Sequence, residues 1–194
     1  LDRPEFTARG LMRQFKVEAV CTTDDPVDDL AYHRTIKESG FEVKVLPTFR
    51  PDKAMAVENV QMFNSYLDKL GQVADIDIND FPNLIYALQS RHDYFASLGC
   101  KLSDHGLEQI YAEDFYNHEI QSIFNKIRSG NALNMMEQLK FKSAMLIHFG
   151  KMDHEKGWTQ QFHLGAMRNN NTRMVEKLGP DTGFDSIGDY SQGR

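Results

Sequence analysis

The sequence predicts an α/β protein: parallel strands from a partial (β/α)8 TIM-type barrel, with an α-helical insertion at about 53–98. Three observations point there. Short apolar runs alternate with helix-length amphipathic stretches, which calls for crossover connections and a parallel sheet. The apolar runs empty into clusters of charged and amide residues, which resist burial unless paired. The richest of these clusters is Trp158-Thr-Gln-Gln-Phe-His-Leu-Gly-Ala-Met-Arg-Asn-Asn-Asn171. Four strands are about half of what a closed barrel needs, so residues 1–194 read as one segment of a larger barrel.

The elements follow in order. Glu5–Phe15 reads as a helix and Val17–Thr23 as a strand. Asp24-Asp-Pro26 supplies an N-cap and first-turn proline for a helix over Val27–Ser39, stopped by Gly40. Phe41–Thr48 is the second strand, leaving through Phe49-Arg-Pro-Asp52. A helical region over Lys53–Leu98 is broken near Gly71 and by the acidic stretch Asp75–Asp80. Cys100–Ser103 forms a third strand, leaving through Asp104-His-Gly106. Helices over Asp114–Ser129 and Asn134–Lys151 lead to a fourth strand, Gln160–Leu164, and the tail after Gly179 reads as loop.

Composition narrows the function. A net charge of −6 with no basic stripe argues against a nucleic-acid partner. No apolar stretch spans a bilayer, so no membrane partner is expected, and the cytoplasm is the expected location. Cys21 and Cys100 read as buried, reduced thiols.

Each strand exit offers chemistry. At the first, Asp24 or Asp25 caps a helix while the other carboxylate and the paired threonines are free to line a pocket. At the second, the planar fork of Arg50 suits a carboxylate, and an ordinary pairing with Asp52 accounts for it equally well. At the third, Asp104 sits beside His105: an acid–base pair, or a turn cap and a packed imidazole. At the fourth, His163 shares a strand face with Gln161 and Gly165, and Arg168 with Asn169, Asn170 and Asn171 follows. His33, His92, His118, His148 and His154 fall on helices or their ends and read as solvated or packing residues. There is no His-x-His, Cys-x-x-Cys or His-Glu-x-x-His motif, no phosphate-cradling glycine loop and no nucleophile elbow.

Five segments together resemble the uronate (glucuronate) isomerase family: Thr22-Thr-Asp-Asp-Pro26, Lys44-Val-Leu-Pro-Thr-Phe-Arg-Pro-Asp-Lys53, Gly99-Cys-Lys-Leu-Ser-Asp-His105, Gly157–Asn171 and Leu178-Gly-Pro-Asp-Thr-Gly-Phe-Asp-Ser-Ile187. The resemblance runs from Phe6 to about Asp189. It implies a β/α barrel of the amidohydrolase superfamily that interconverts D-glucuronate with D-fructuronate and D-galacturonate with D-tagaturonate. It also implies catalytic roles for Asp104 and His163 and substrate-binding roles for Arg50 and Arg168. The expected partner is a small uronate substrate, with self-association into a homo-oligomer as a further expectation. A divalent metal, zinc or similar, is expected in the intact enzyme, with His163 near it. Its expected ligands, a His-x-His pair and a last-strand aspartate, lie in segments that this sequence does not contain. Two rival readings use the same residues: a metal-dependent hydrolase on the same barrel, and a non-catalytic sugar-acid binding fragment. A third, a helical interaction domain on Lys53–Leu98, requires an exposed apolar patch there.

Overall fold

A computed structural model describes residues 3–180, 182–191 and 193. Strand and helix alternate through β1 (Ala19–Cys21), α2 (Ala31–Glu38), β2 (Lys44–Leu46), α3 (Val60–Ala74), α4 (Phe81–Ser97), β3 (Leu102–Leu107), α5 (Asn117–Arg128), α6 (Met135–Lys156) and β4 (Thr159–Leu164), after a leading α1 (Ala8–Gln14). β1 pairs parallel with β2, and β3 pairs parallel with β4 in the register Leu102 opposite Thr159. Phe49 joins the two pairs through parallel bridges to Asp24 on one side and Ser103 on the other. The result is an α/β arrangement of parallel strands in chain order.

The core lies between these strands and α3–α6. Leu67, Leu70, Leu84, Leu88, Phe124, Ile127 and Phe141 are fully enclosed there. Aromatic edges meet faces within it: Phe63 against Phe141 at 5.9 Å, and Phe49 against Phe95 at 5.2 Å. Asn134 and Glu137 form a capping box that starts α6, and Gly157 ends that helix at φ +64°, a backbone shape glycine adopts without steric cost. Among the described residues no helix is long and apolar enough to cross a membrane.

Several boundaries differ from the sequence reading, each for a physical reason. α2 starts at Ala31, with Leu30 left-handed before it, so neither Asp24 nor Asp25 caps it. The Asp24 backbone is already engaged in the sheet, bonding Thr48 O and the Arg50 N–H, and Asp25 Oδ1 accepts the Val27 N–H in a tight turn. α3 runs through Gly71 and ends after Ala74, because a Cβ at Gly71 would stand only 2.8 Å from the Ile76 carbonyl where the chain doubles back. β3 continues to Leu107, so Asp104, His105 and Gly106 are strand residues rather than an exit loop. A helix, α7 (Thr172–Leu178), precedes Gly179, and the tail beyond it contributes a strand, β6 (Ser186–Ile187), antiparallel to β5 (Ala166–Met167). Both cysteines are free, but Cys21 is exposed; only Cys100 is buried, and burial raises its thiol pKa to about 11.

The outer face of β3 carries buried polar side chains against the helices. Ser103 Oγ donates to Asp153 Oδ2 at 2.6 Å, and His92 Nε2 lies 3.1 Å from Asp153 Oδ1. His105 stacks on Phe149 at 5.5 Å, and burial lowers its pKa below the ordinary imidazole range. The folded protein therefore holds His105 neutral, while the unfolded chain takes up its proton. Stability should be full above about pH 6.5 and fall as pH drops below it. In urea titrations between pH 7 and 5, the slope of stability against pH should flatten in His105→Gln. In the same titrations Phe49→Ala should cost about 3–5 kcal/mol, since it empties a fully enclosed aromatic site.

Candidate functional site

Strand alternation sends the next residues the other way. Asp104 on β3 lies opposite Gln161 on β4, and Gln161 Nε2 donates to Asp104 Oδ1 at 3.0 Å. Two positions on, Gly106 lies opposite His163. All four share the inner face, away from the helices. Asp104 is buried, and His163 is exposed on this face.

Arg50 enters from the end of β2. Its Nε donates to Asp52 Oδ2 at 2.8 Å, and its Nη1 lies 3.3 Å from Asp104 Oδ2. The same Asp52 oxygen accepts the Gly106 N–H at 3.0 Å. Arg168 comes from the turn after β5 and pairs with Asp185 at 2.5 Å. The Asn169 N–H and then Arg168 hold the Asp185 carboxyl below its usual range.

Both guanidiniums approach the bare Cα of Gly106. A methyl there would overlap Arg50 Nη2 and stand 3.1 Å from Arg168 Nη2 and 3.0 Å from Asp52 Oδ2. The side chains border a cavity of about 370 Å³ lined by Thr23, Asp24, Asp25, Arg50, Asp52, Lys53 and Arg168. Its floor at β1 is tightly bonded. Thr22 Oγ1 donates to Asp24 Oδ2 at 2.6 Å and lies 2.7 Å from His33 Nε2. Asp25 accepts from the Tyr66 hydroxyl at 3.0 Å and pairs with Lys53 at 3.0 Å. Burial, with Asp25 beside it, pushes the Tyr66 phenol far above its usual pKa, so it stays a donor.

Arg50 and Arg168 are thus brought together on one cavity, Asp104 is tied to it through its ion pair with Arg50, and His163 lies on the same strand face opposite Gly106. The adjacent Asp104 and His105 are separated: consecutive strand residues face opposite ways, so His105 does not act with Asp104 as an acid–base pair. Asp24 and Asp25 both line the cavity, and His33, read as a solvated or packing residue, packs behind it against Thr22 and Asp24. Gly106, Asp185 and the double role of Asp52 were missed from sequence. Asp52 carried a signal, two residues beyond Arg50; Asp185 carried none, because only the β5–β6 hairpin brings it to Arg168. Among the described residues no three His, Cys, Asp or Glu side chains converge to hold a metal ion. A complete ligand set for the expected divalent cation is therefore not supplied by the described residues alone.

Fold and site together define an α/β protein with an arginine-walled, carboxylate-bearing pocket at the ends of parallel strands. A sequence model of the glucuronate isomerase family matches residues 1–194, and the chain belongs to that family. It is 61% identical over 191 residues to the uronate isomerase of Phocaeicola vulgatus and 57% identical over 192 to that of Cellvibrio japonicus. It spans 98% of itself but 41% of the length of each of these relatives. The crystal structure of uronate isomerase from Thermotoga maritima superposes with a TM-score of 0.88 at 36% identity, covering 96% of this chain and 41% of that one. Glucuronate isomerase from Caulobacter crescentus gives 0.86 at 26% identity, covering 100% and 40%.

Gly106→Ala is expected to push the two guanidiniums apart, while unfolding midpoints move little. Arginine side-chain nuclear magnetic resonance shifts, alongside thermal melts, check both.

Proposed function

We propose that this segment supplies the substrate-carboxylate site and proton-handling residues of a uronate isomerase that interconverts D-glucuronate with D-fructuronate and D-galacturonate with D-tagaturonate. The observation that carries the reading is the meeting of Arg50 and Arg168 over Gly106. Two planar forks converging on one place suit a carboxylate, which accepts paired N–H donors from each. We also read the four parallel strands as consecutive strands of a β/α barrel, whose active face lies at the strand C-terminal ends where these residues sit.

The reaction takes the hydrogen from carbon-2 of the aldose as a proton and returns one to carbon-1, through an enediol-like intermediate. It needs a base, an acid and a charge partner for oxygen. With the substrate carboxylate on the arginines, Asp104 and His163 stand further along the same face. Asp104, already accepting from Gln161 and paired with Arg50, orients substrate hydroxyls. His163, exposed on that face, is the candidate to move the proton.

The test is Arg50→Lys and Arg168→Lys in a polypeptide of full family length containing this segment, assayed for uronate turnover. Lysine keeps the charge but loses the fork, so each should lower kcat/KM by roughly tenfold or more. Full activity in both would overturn the carboxylate site.

A further inference from the structure

We propose that Asp52 is a positioning residue: one of its carboxylate oxygens locks the Arg50 guanidinium to the backbone of β3 and so sets the direction in which Arg50 meets an anion. The proposal rests on the reading of Arg50 as a carboxylate-binding group.

Asp52 Oδ2 accepts from two separate elements, Arg50 Nε at 2.8 Å and the Gly106 N–H at 3.0 Å. Asp104 Oδ2 meets the same guanidinium at Nη1, 3.3 Å away. A planar group held by carboxylates at Nε and Nη1 cannot swivel about its Cδ–Nε bond, and its Nη2 is carried over the bare Cα of Gly106. Without Asp52, the guanidinium loses its Nε anchor and its tie to the β3 backbone, and a long arginine side chain gains freedom to swing. The other Asp52 oxygen, Oδ1, is buried and has no hydrogen-bond partner among the described residues. A carboxylate with one orphaned oxygen is a costly way to stabilise a fold, so its use is better sought in what Oδ2 holds. Chain geometry makes the arrangement: Asp52 opens a short 3-10 helix, Asp52–Met55, immediately after Pro51, which turns the carboxylate back toward the residue two before it.

The sign of the effect separates positioning from simple charge balance. If Asp52 only neutralised Arg50, removing its charge would strengthen anion binding. If it positions the fork, binding weakens. Asp52→Asn and Asp52→Ala are made in a polypeptide of full family length containing this segment and followed by hydrogen exchange of the Arg50 Nε–H and Gly106 N–H, by thermal melts, and by titration with D-glucuronate against uncharged D-glucose. In Asp52→Ala both N–H groups should exchange at least tenfold faster, and D-glucuronate affinity should fall about tenfold. In Asp52→Asn the amide oxygen in the place of Oδ2 still accepts from both N–H groups, so both stay better protected than in Asp52→Ala and affinity is better kept. Tighter D-glucuronate binding in Asp52→Ala, or unchanged Arg50 Nε–H exchange in Asp52→Ala, overturns the proposal. Should the unaltered full-length protein bind no D-glucuronate, the uronate reading fails, and exchange at the two N–H groups still decides for or against the lock.

Discussion

Everything at the pocket depends on a two-residue step at the end of β2. The Phe49 backbone knits the strand pairs together, donating to Leu102 O and accepting from the Asp104 N–H, while its ring is driven into the core against His92 and Phe95. Strand geometry then sends the next side chain to the opposite face. Burial of an aromatic ring on one side is thus what aims Arg50 on the other. The hydrophobic contribution of that ring is non-directional in itself; it becomes directional because the backbone that carries it is hydrogen-bonded on both sides.

β3 repeats the principle with polar residues on both faces. Ser103 and His105 meet the helices and are buried; Ser103 bonds Asp153 and His105 Nε2, and Asp153 in turn meets His92. Asp104 and Gly106 face inward. A buried polar row behind a strand is expensive unless bonded, yet bonded it fixes the strand against sliding more sharply than interchangeable aliphatic contacts do. A one-residue slip of β3 would put His105 under Arg50 and Asp104 into the helix layer, which neither face tolerates.

The site was legible in sequence to the extent that it obeys strand periodicity. Arg50, Asp104 and Arg168 stood out as charged residues ending apolar runs, and alternation placed Gln161 with His163. What sequence did not reveal depends on pairings between distant segments. Asp24 looked like a helix cap, but its backbone belongs to the sheet, and no local rule says which of the two wins. Gly106 looked like a turn residue; its purpose is to have no side chain where two guanidiniums arrive. Asp185 reaches Arg168 only because Ala166–Met167 and Ser186–Ile187 pair across the intervening α7. The helices were found by their apolar spacing, but α7 is too short and too exposed to impose a pattern.

The pocket's cations are already engaged, and that shapes what can bind. Arg50 is held by Asp52 and Asp104, Arg168 by Asp185, and Lys53 by Asp25. A ligand carboxylate does not meet bare charge; it adds to or replaces existing pairs and must offset the desolvation of both partners. A simple anion gains little by such an exchange. A polyhydroxy acid gains more, since its hydroxyls donate to the carboxylates that its own carboxylate partly displaces. Arginine suits this better than lysine, because a planar fork presents different edges to protein and ligand at once. That balance supports the proposed uronate reading, which calls for charge and hydroxyls in one molecule rather than charge alone.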